Sequence, residues 1–201
     1  IGGSKVSTKI GVISNLIKKS NNIIIVGAMA NNFLAYKGLG IGKSLVENNV
    51  EKIIEKIYQD AKNNNCKIII PEDCLTSLSF EGEPQTKDKD SIKKDDIILD
   101  IGPKTVKLIE EIIDQSNTVM WNGPAGFFDN KKFAIGKNPI AKKISENTTN
   151  KSLISVLGGG DTVSAINKSG YKLTFTHLST AGGAFLEYLE GKDLPGLSVL
   201  K

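Results

Sequence analysis

Short apolar runs alternating with segments of helical period constrain this chain more than any other feature. Runs at residues 23–26, 67–70, 97–101, 118–121, 153–157 and 173–176 read as strands. Most carry Ile, Val or Leu at consecutive positions, as a strand must when both faces of its sheet are covered. Amphipathic segments lie between them. In the clearest, Val50, Ile53, Ile54, Ile57, Tyr58 and Ala61 recur at helical spacing, with Asn48 and Asn49 placed to cap it. Further helices are expected at 6–18, at 104–114 and from Pro139 onward, proline being suited to a first helical turn. Strands alternating with helices predict an α/β chain with a parallel sheet of about six strands and right-handed crossovers. The polar stretch 77–96 reads as a hairpin or excursion, with no internal repeat and no interdomain linker.

At 201 residues the chain is long enough for one packed domain. No apolar run approaches the roughly 20 residues that cross a bilayer. The opening residues lack the basic-then-apolar order of a signal peptide, and a start at Ile1-Gly2-Gly3 without Met suggests a piece of a longer chain. There is no Arg, so every cation except the single His is Lys, and the net charge is +4. Lys, Ile and Asn are all heavily used, as a biased genome composition produces, so lysine clusters carry little weight. Aromatics are sparse and lysines are interleaved with acids, so neither a nucleic-acid surface nor a membrane partner is expected. The mixed-sign stretch 87–94 reads as a solvated loop. Cys66 and Cys74 lack metal or redox spacing and read as small buried hydrophobes at strand borders; two free thiols suit a reducing cytosol.

In a parallel α/β sheet, ligands bind beyond the carboxyl ends of the strands. Four of those ends empty into glycine-rich turns: Gly27-Ala28-Met29-Ala30, Asn122-Gly123-Pro124-Ala125-Gly126, Gly158-Gly159-Gly160-Asp161-Thr162 and Ser179-Thr180-Ala181-Gly182-Gly183. Tight turning explains any one of them; four on one rim point instead to backbone N–H groups and helix N-termini aimed at an anion. In the third turn, Asp161 is placed to hold Mg²⁺ beside a polyphosphate, or else simply caps a helix. Lys5 and Lys9, four apart, share a face if their segment is helical. Three features mislead. Gly38 to Ser44 imitates a phosphate-binding P-loop, but Lys37 stands where that motif needs its first glycine. A dinucleotide-binding G-x-G-x-x-G is missing after the first strand. His177 alone makes no hydrolytic triad and reads as a packed or hydrogen-bonding residue.

Read together, these motifs closely resemble the C-terminal, nucleotide-binding half of phosphoglycerate kinases, from Gly2 to about Leu200. The resemblance rests on Gly2-Gly3-Ser4-Lys5-Val6 with Lys9, Ile41 to Glu47, Asp100 to Thr105, Trp121-Asn122-Gly123-Pro124, Gly158 to Thr162 and His177-Leu178-Ser179-Thr180. It implies one three-layer, Rossmann-like α/β domain over residues 1–201, with helices on both faces of the sheet. It also implies reversible phosphoryl transfer between 1,3-bisphosphoglycerate and MgADP, giving 3-phosphoglycerate and MgATP, by a monomeric glycolytic enzyme of the cytoplasm. Lys5 would contact the nucleotide phosphates and Lys9 the phosphoryl group in transit, with Asn122 also on phosphate oxygens. Asp161 would ligate Mg²⁺, while Gly159, Gly160 and Thr162 cradle the β-phosphate. Gly3, Gly27, Ala28, Leu99 and Pro124 would line the nucleoside slot. Gly182 and Gly183 would offer backbone donors to the migrating group.

Several positions depart from the family pattern. Asp129 stands where Glu commonly meets the ribose hydroxyls. Val26 and Ala28 replace glycines, Ile98 a Gly and Phe127 a Val, all near the base. Ala181 replaces a glycine whose φ, if positive, would cost Ala roughly 1 kcal/mol. In this family the basic patch that grips 3-phosphoglycerate, including an Arg, belongs to an N-terminal domain, and a chain without Arg does not supply it. The expectation is therefore a chain that binds MgADP or MgATP and does not turn over usefully alone. The alternatives are a non-enzymatic nucleotide-binding module, or an α/β enzyme for another phosphorylated cofactor, such as a dehydrogenase.

Overall fold

The computed structural model describes residues 1–168 and 170–200. Its helices are α1 (Ile10–Ile17), α2 (Met29–Tyr36), α3 (Glu51–Asn63), α4 (Pro103–Asp114), α5 (Lys137–Asn150), α6 (Gly160–Asn167), α7 (Gly183–Leu189) and α8 (Pro195–Ser198). The strands are β1 (Asn22–Ile24), β2 (Lys67–Ile69), β3 (Asp73–Ser77), β4 (Gln85–Asp88), β5 (Ile97–Ile101), β6 (Thr118–Asn122), β7 (Ile154–Gly158) and β8 (His177–Ser179). The fold is α/β, with parallel strands and helices packed against them.

The expected single sheet of six parallel strands is not what forms. Among the described residues β1 pairs β2 in parallel, β6-β7-β8 make a parallel trio, and β4-β3-β5 make an antiparallel one. The reason lies between β1 and β6. There the Ile1 α-amino group donates to the Ile24 carbonyl (2.6 Å), Val26 N–H to Ile1 (2.9 Å) and Gly2 N–H to Asn122 (2.8 Å). Two residues bridge the parallel sheets without making a ladder. Residues 97–101 do form a strand, but one paired antiparallel to β3, so they leave the parallel set.

The layering follows from alternation along β1 and the two residues after it. Ile23 and Ile25 enter a core with Ile13 and Ile17 of α1, Phe33 of α2, and Ile54 and Ile57 of α3. Ile24 and Val26 face the opposite core, built from Ile109 and Ile113 of α4, Ile140 and Ile144 of α5, Trp121 and Leu157. Helices therefore cover both faces. Fully burying one such Ile or Phe contributes about 1.5–3 kcal/mol.

Local differences from the sequence reading have physical causes. The last strand is β8, not 173–176, because backbone donors there are taken by side chains: Thr176 N–H by Ser155 Oγ (3.0 Å) and Thr174 N–H by Ser145 Oγ (2.8 Å). Helix α1 starts at Ile10, since Lys9 N–H closes a turn onto the Val6 carbonyl (3.0 Å). Lys5 and Lys9 thus do not share a helical face. Asn48 and Asn49 do not cap α3; Val50 occupies that position and Asn49 sits at φ 61°. The stretch 87–94 is not all solvated loop, because Lys87 and Asp88 belong to β4 and Lys87 clamps the buried Asp96 carboxylate at 2.7 Å. His177 is exposed at the start of β8, not packed. Cys66 and Cys74 are free and buried. Among the described residues no helix is long and apolar enough to cross a membrane.

A glycine-lined rim as the candidate functional site

Three of the four glycine-rich turns run straight into helices: Ala28 is the N-cap of α2, Gly159 of α6 and Gly182 of α7. The turn after β6 leads instead into a loop and the short 3-10 helix Lys131–Phe133. Backbone bonds draw these turns together. Gly27 N–H donates to Ala125 (2.9 Å), Met29 N–H to Gly3 (2.9 Å), and Gly123 N–H to the Thr162 hydroxyl (2.7 Å). Gly27 has φ 69°, and a Cβ there would come within 2.8 Å of Gly3 N. A left-handed conformation and a backbone at that distance admit only glycine. Gly159 is similar, with φ 99° and Asn122 Nδ2 at 2.7 Å from an added Cβ.

Asn122 is the joint of this rim. It is 1% exposed; its Oδ1 accepts from Lys9 Nζ (2.5 Å) and its Nδ2 donates to the Gly158 carbonyl (2.7 Å). One amide thus connects α1, β6 and the turn after β7. A phosphate oxygen approaching Asn122 would compete with Gly158 for its amide hydrogens. Burial lowers the Lys9 pKa from the ordinary lysine value, opposed by the carboxylates of Asp161 and Glu190. The turn preceding α1 is pinned by Glu47, which accepts from both the N–H and the hydroxyl of Ser7; the hydroxyl bond above all holds its carboxyl below the usual range. Lys5 is exposed on that segment.

Beside the joint lies a cavity of about 330 Å³. Gly3, Gly27, Ala28, Leu99, Pro124 and Asp161 all line it, as do Ile98 and Phe127. Phe80 closes one side, edge-on to Phe127 with ring centroids 5.5 Å apart. The remaining expected residues lie elsewhere on the rim. Gly160 and Thr180 share an open depression beside α6, which places the turns after β7 and β8 side by side. Thr162 is buried under Gly123, and Gly182 and Gly183 begin α7, whose far end is tied to α1 by Asn15 Nδ2 donating to Leu189 (2.8 Å). Asp129 is exposed and paired with Lys168 (3.0 Å), whose ammonium lies over Phe128.

Two departures from the family pattern cost the backbone little. Ala28 has φ −64°, and Ala181 is not among the positive-φ residues; Gly182 takes that conformation instead, at φ 54°. The loop that imitates a P-loop is structural. Lys43 pairs with Asp95 (2.8 Å), and Ser44 donates to the Ile41 carbonyl while accepting from Ile98 N–H (2.8 Å).

The sequence reading missed two polar residues of the cavity wall. Asn31 is 1% exposed, donates to the Leu45 carbonyl (2.9 Å) and leaves its Oδ1 without a partner. Asp100 is buried at the carboxyl end of β5, and burial pushes its pKa up to about 7. An Asn pair inside the otherwise apolar α2 was the available signal for the first. An Asp closing an apolar strand was the signal for the second.

Comparison with known proteins bears on the family and the fold. The phosphoglycerate kinase family profile matches residues 1–192. Phosphoglycerate kinases of Chelativorans sp. and Rhizobium leguminosarum bv. trifolii are 44% and 46% identical over all of this chain, covering 51% and 50% of those proteins. The structure of phosphoglycerate kinase from Coxiella burnetii superposes over the whole chain with a TM-score of 0.93 at 36% identity. That from Pyrococcus horikoshii covers 99% of this chain at TM-score 0.76 and 30% identity. The chain spans about half the length of each of these relatives. A profile match over nearly every residue, joined to a matching backbone throughout, places the chain in the phosphoglycerate kinase family.

Proposed function

We propose that this chain is the C-terminal, nucleotide-binding domain of a phosphoglycerate kinase, taking up MgADP or MgATP at the glycine-lined rim. The observation that carries this reading is the cavity lined by Gly3, Gly27, Ala28, Leu99 and Pro124 next to the Lys9–Asn122–Gly158 junction. The base and ribose would enter the cavity, with Asp129 released from Lys168 to meet the ribose hydroxyls. The phosphates would run toward Gly159, Gly160 and Thr162, where the first turn of α6 presents free N–H groups. Lys5 would meet the outer phosphates. Lys9, steered by Asn122, would meet the phosphoryl group in transit, with Gly182 and Gly183 offering backbone donors.

The donor set suits Mg²⁺ held jointly with a ligand. Asp161 supplies one exposed carboxylate in the first turn of α6, and no cluster of three metal-ligating side chains exists among the described residues. Mg²⁺ keeps several waters and needs only one or two carboxylates when phosphates supply the rest. When bound it neutralises charge on the phosphate oxygens; the chain's own part is alignment and exclusion of water. In the complete protein the acceptor, 3-phosphoglycerate, would come from an N-terminal domain, and closure of the two would bring it to Lys9. The working form is expected to be a cytoplasmic monomer with no nucleic-acid or membrane partner, and the two buried free thiols suit that compartment.

Calorimetric titration with MgADP and NAD side by side tests the reading. Saturable MgADP binding with no NAD binding supports it. A preference for NAD, or binding of neither, overturns it.

A further inference from the structure

One wall of the cavity begins a loop, residues 124–136, that carries only the short 3-10 helix Lys131–Phe133, and β5 holds it at two points. The Leu99 carbonyl accepts from Phe127 N–H (2.7 Å), which fixes the start. Asp100 fixes the end: its Oδ2 accepts from Gly136 N–H (2.8 Å), while Oδ1 accepts from its own neighbour, Ile101 N–H (2.8 Å). The same carboxylate also packs on the beginning of the loop, because a Cβ added to Gly126 would lie 2.2 Å from Oδ1. The anchored Phe127 turns its ring to the cavity, and Asp129 follows it before the second anchor.

We propose that Asp100 is a positioning residue for the nucleoside end of the site, its carboxylate setting the 124–136 loop at the distance from β5 that shapes the cavity. The inference rests on the nucleotide reading above. It concerns the base and ribose, not the phosphates, since among the described residues no hydrogen bond or ion pair joins Asp100 to Lys5, Lys9 or α6.

The chemistry of the site makes this separable from a packing role. Two backbone donors aim at the two oxygens, so the loop geometry is the one an ionised carboxylate favours. Burial favours the neutral form. The facing charges divide as well. Lys137 at the start of α5 supports ionisation, and the Cys74 thiol of β3, pushed up to about 12 first by burial and then by the field of Asp73 and Asp100, contributes no charge near neutrality. Asp100 therefore changes charge in the neutral range, and the loop is held best on the alkaline side. By reciprocity, a nucleoside that needs the held loop releases a proton on binding.

The test is titration of the wild type, Asp100→Asn and Gly126→Ala with MgADP and with magnesium pyrophosphate between pH 6 and 8. Asn keeps the shape but offers one acceptor where two donors arrive; the Gly126→Ala methyl pushes loop and carboxylate apart from the other side. Both variants are expected to bind MgADP roughly tenfold more weakly at pH 8, the scale of one charge-assisted hydrogen bond, with pyrophosphate within about twofold of wild type. Wild-type MgADP affinity should rise with pH over this range, and Asp100→Asn should flatten that rise. Equal losses for pyrophosphate, unchanged MgADP affinity in both variants, a retained pH profile in Asp100→Asn, or loss of the cooperative thermal transition in both variants would overturn the proposal. A wild type that binds pyrophosphate but no nucleotide would overturn the nucleotide reading instead.

Discussion

Asn122→Leu probes the junction on which the rim depends. Leu is close to Asn in size, so the change removes hydrogen bonds without opening a large cavity. Two bonds are lost: the charge-assisted one from Lys9 Nζ (2.5 Å) and the one to the Gly158 carbonyl (2.7 Å). The first is worth about 1.5–3 kcal/mol, and a buried carbonyl left without a donor costs about 1–3 kcal/mol. Asn122 is 1% exposed and the Gly158 carbonyl is buried, so water does not replace that bond cheaply, whereas Lys9 is half-buried. The expected loss is about 3–5 kcal/mol, a large share of the roughly 5–15 kcal/mol that holds a domain together. Urea denaturation reads it as a fall in midpoint at unchanged slope. A loss below about 1 kcal/mol would refute the reasoning, because the junction would then be an incidental contact.

Other expectations concern single roles at the same rim. Asp161→Ala should weaken Mg-nucleotide binding much more than Mg-free nucleotide binding in calorimetry; equal losses would make Asp161 a helix cap. Lys5→Ala should weaken ATP binding more than adenosine binding, and an equal loss for adenosine would assign Lys5 to the fold. Asp100 gives a pH signature in stability. Its folded pKa, pushed up by burial to about 7, exceeds the ordinary carboxyl value, so the native state binds the extra proton between about pH 4 and 7. This group's contribution is therefore present at acid pH and lost as pH rises toward 7, by at most about 1.4 kcal/mol per unit. Subtracting the urea-derived profile of Asp100→Asn from that of wild type isolates the slope, and parallel profiles would refute it.

The parts of the fold written in hydrophobic period were readable from the residues. Ile53, Ile54, Ile57 and Ala61 specify α3 whatever surrounds them, and the apolar runs of β1, β2, β6 and β7 lie within a residue or two of their observed bounds. Strand β3 was not readable. All five of its residues are buried, yet Asp73, Thr76 and Ser77 are polar, and what lets Asp73 be buried is the distant Thr105, which donates to it from both N–H (2.8 Å) and hydroxyl (2.7 Å). No local pattern encodes a partner 32 residues away. The glycine turns were legible as a group because their chemistry is in the backbone. Asn31 and Asp100 were not, because a lone polar residue acquires its role only from the surfaces that enclose it. The split into three small sheets was equally hidden, since it depends on Ile1 and Gly2 lying between two strands.

The central claim is that segments far apart in sequence meet at one edge and hold a nucleotide together. Amide hydrogen exchange with and without saturating MgADP tests it most directly. The account predicts protection at residues 2–9, 27–30, 122–127 and 158–163 at once, with α3 unchanged. Protection confined to one of these segments, or centred on another surface, would contradict it.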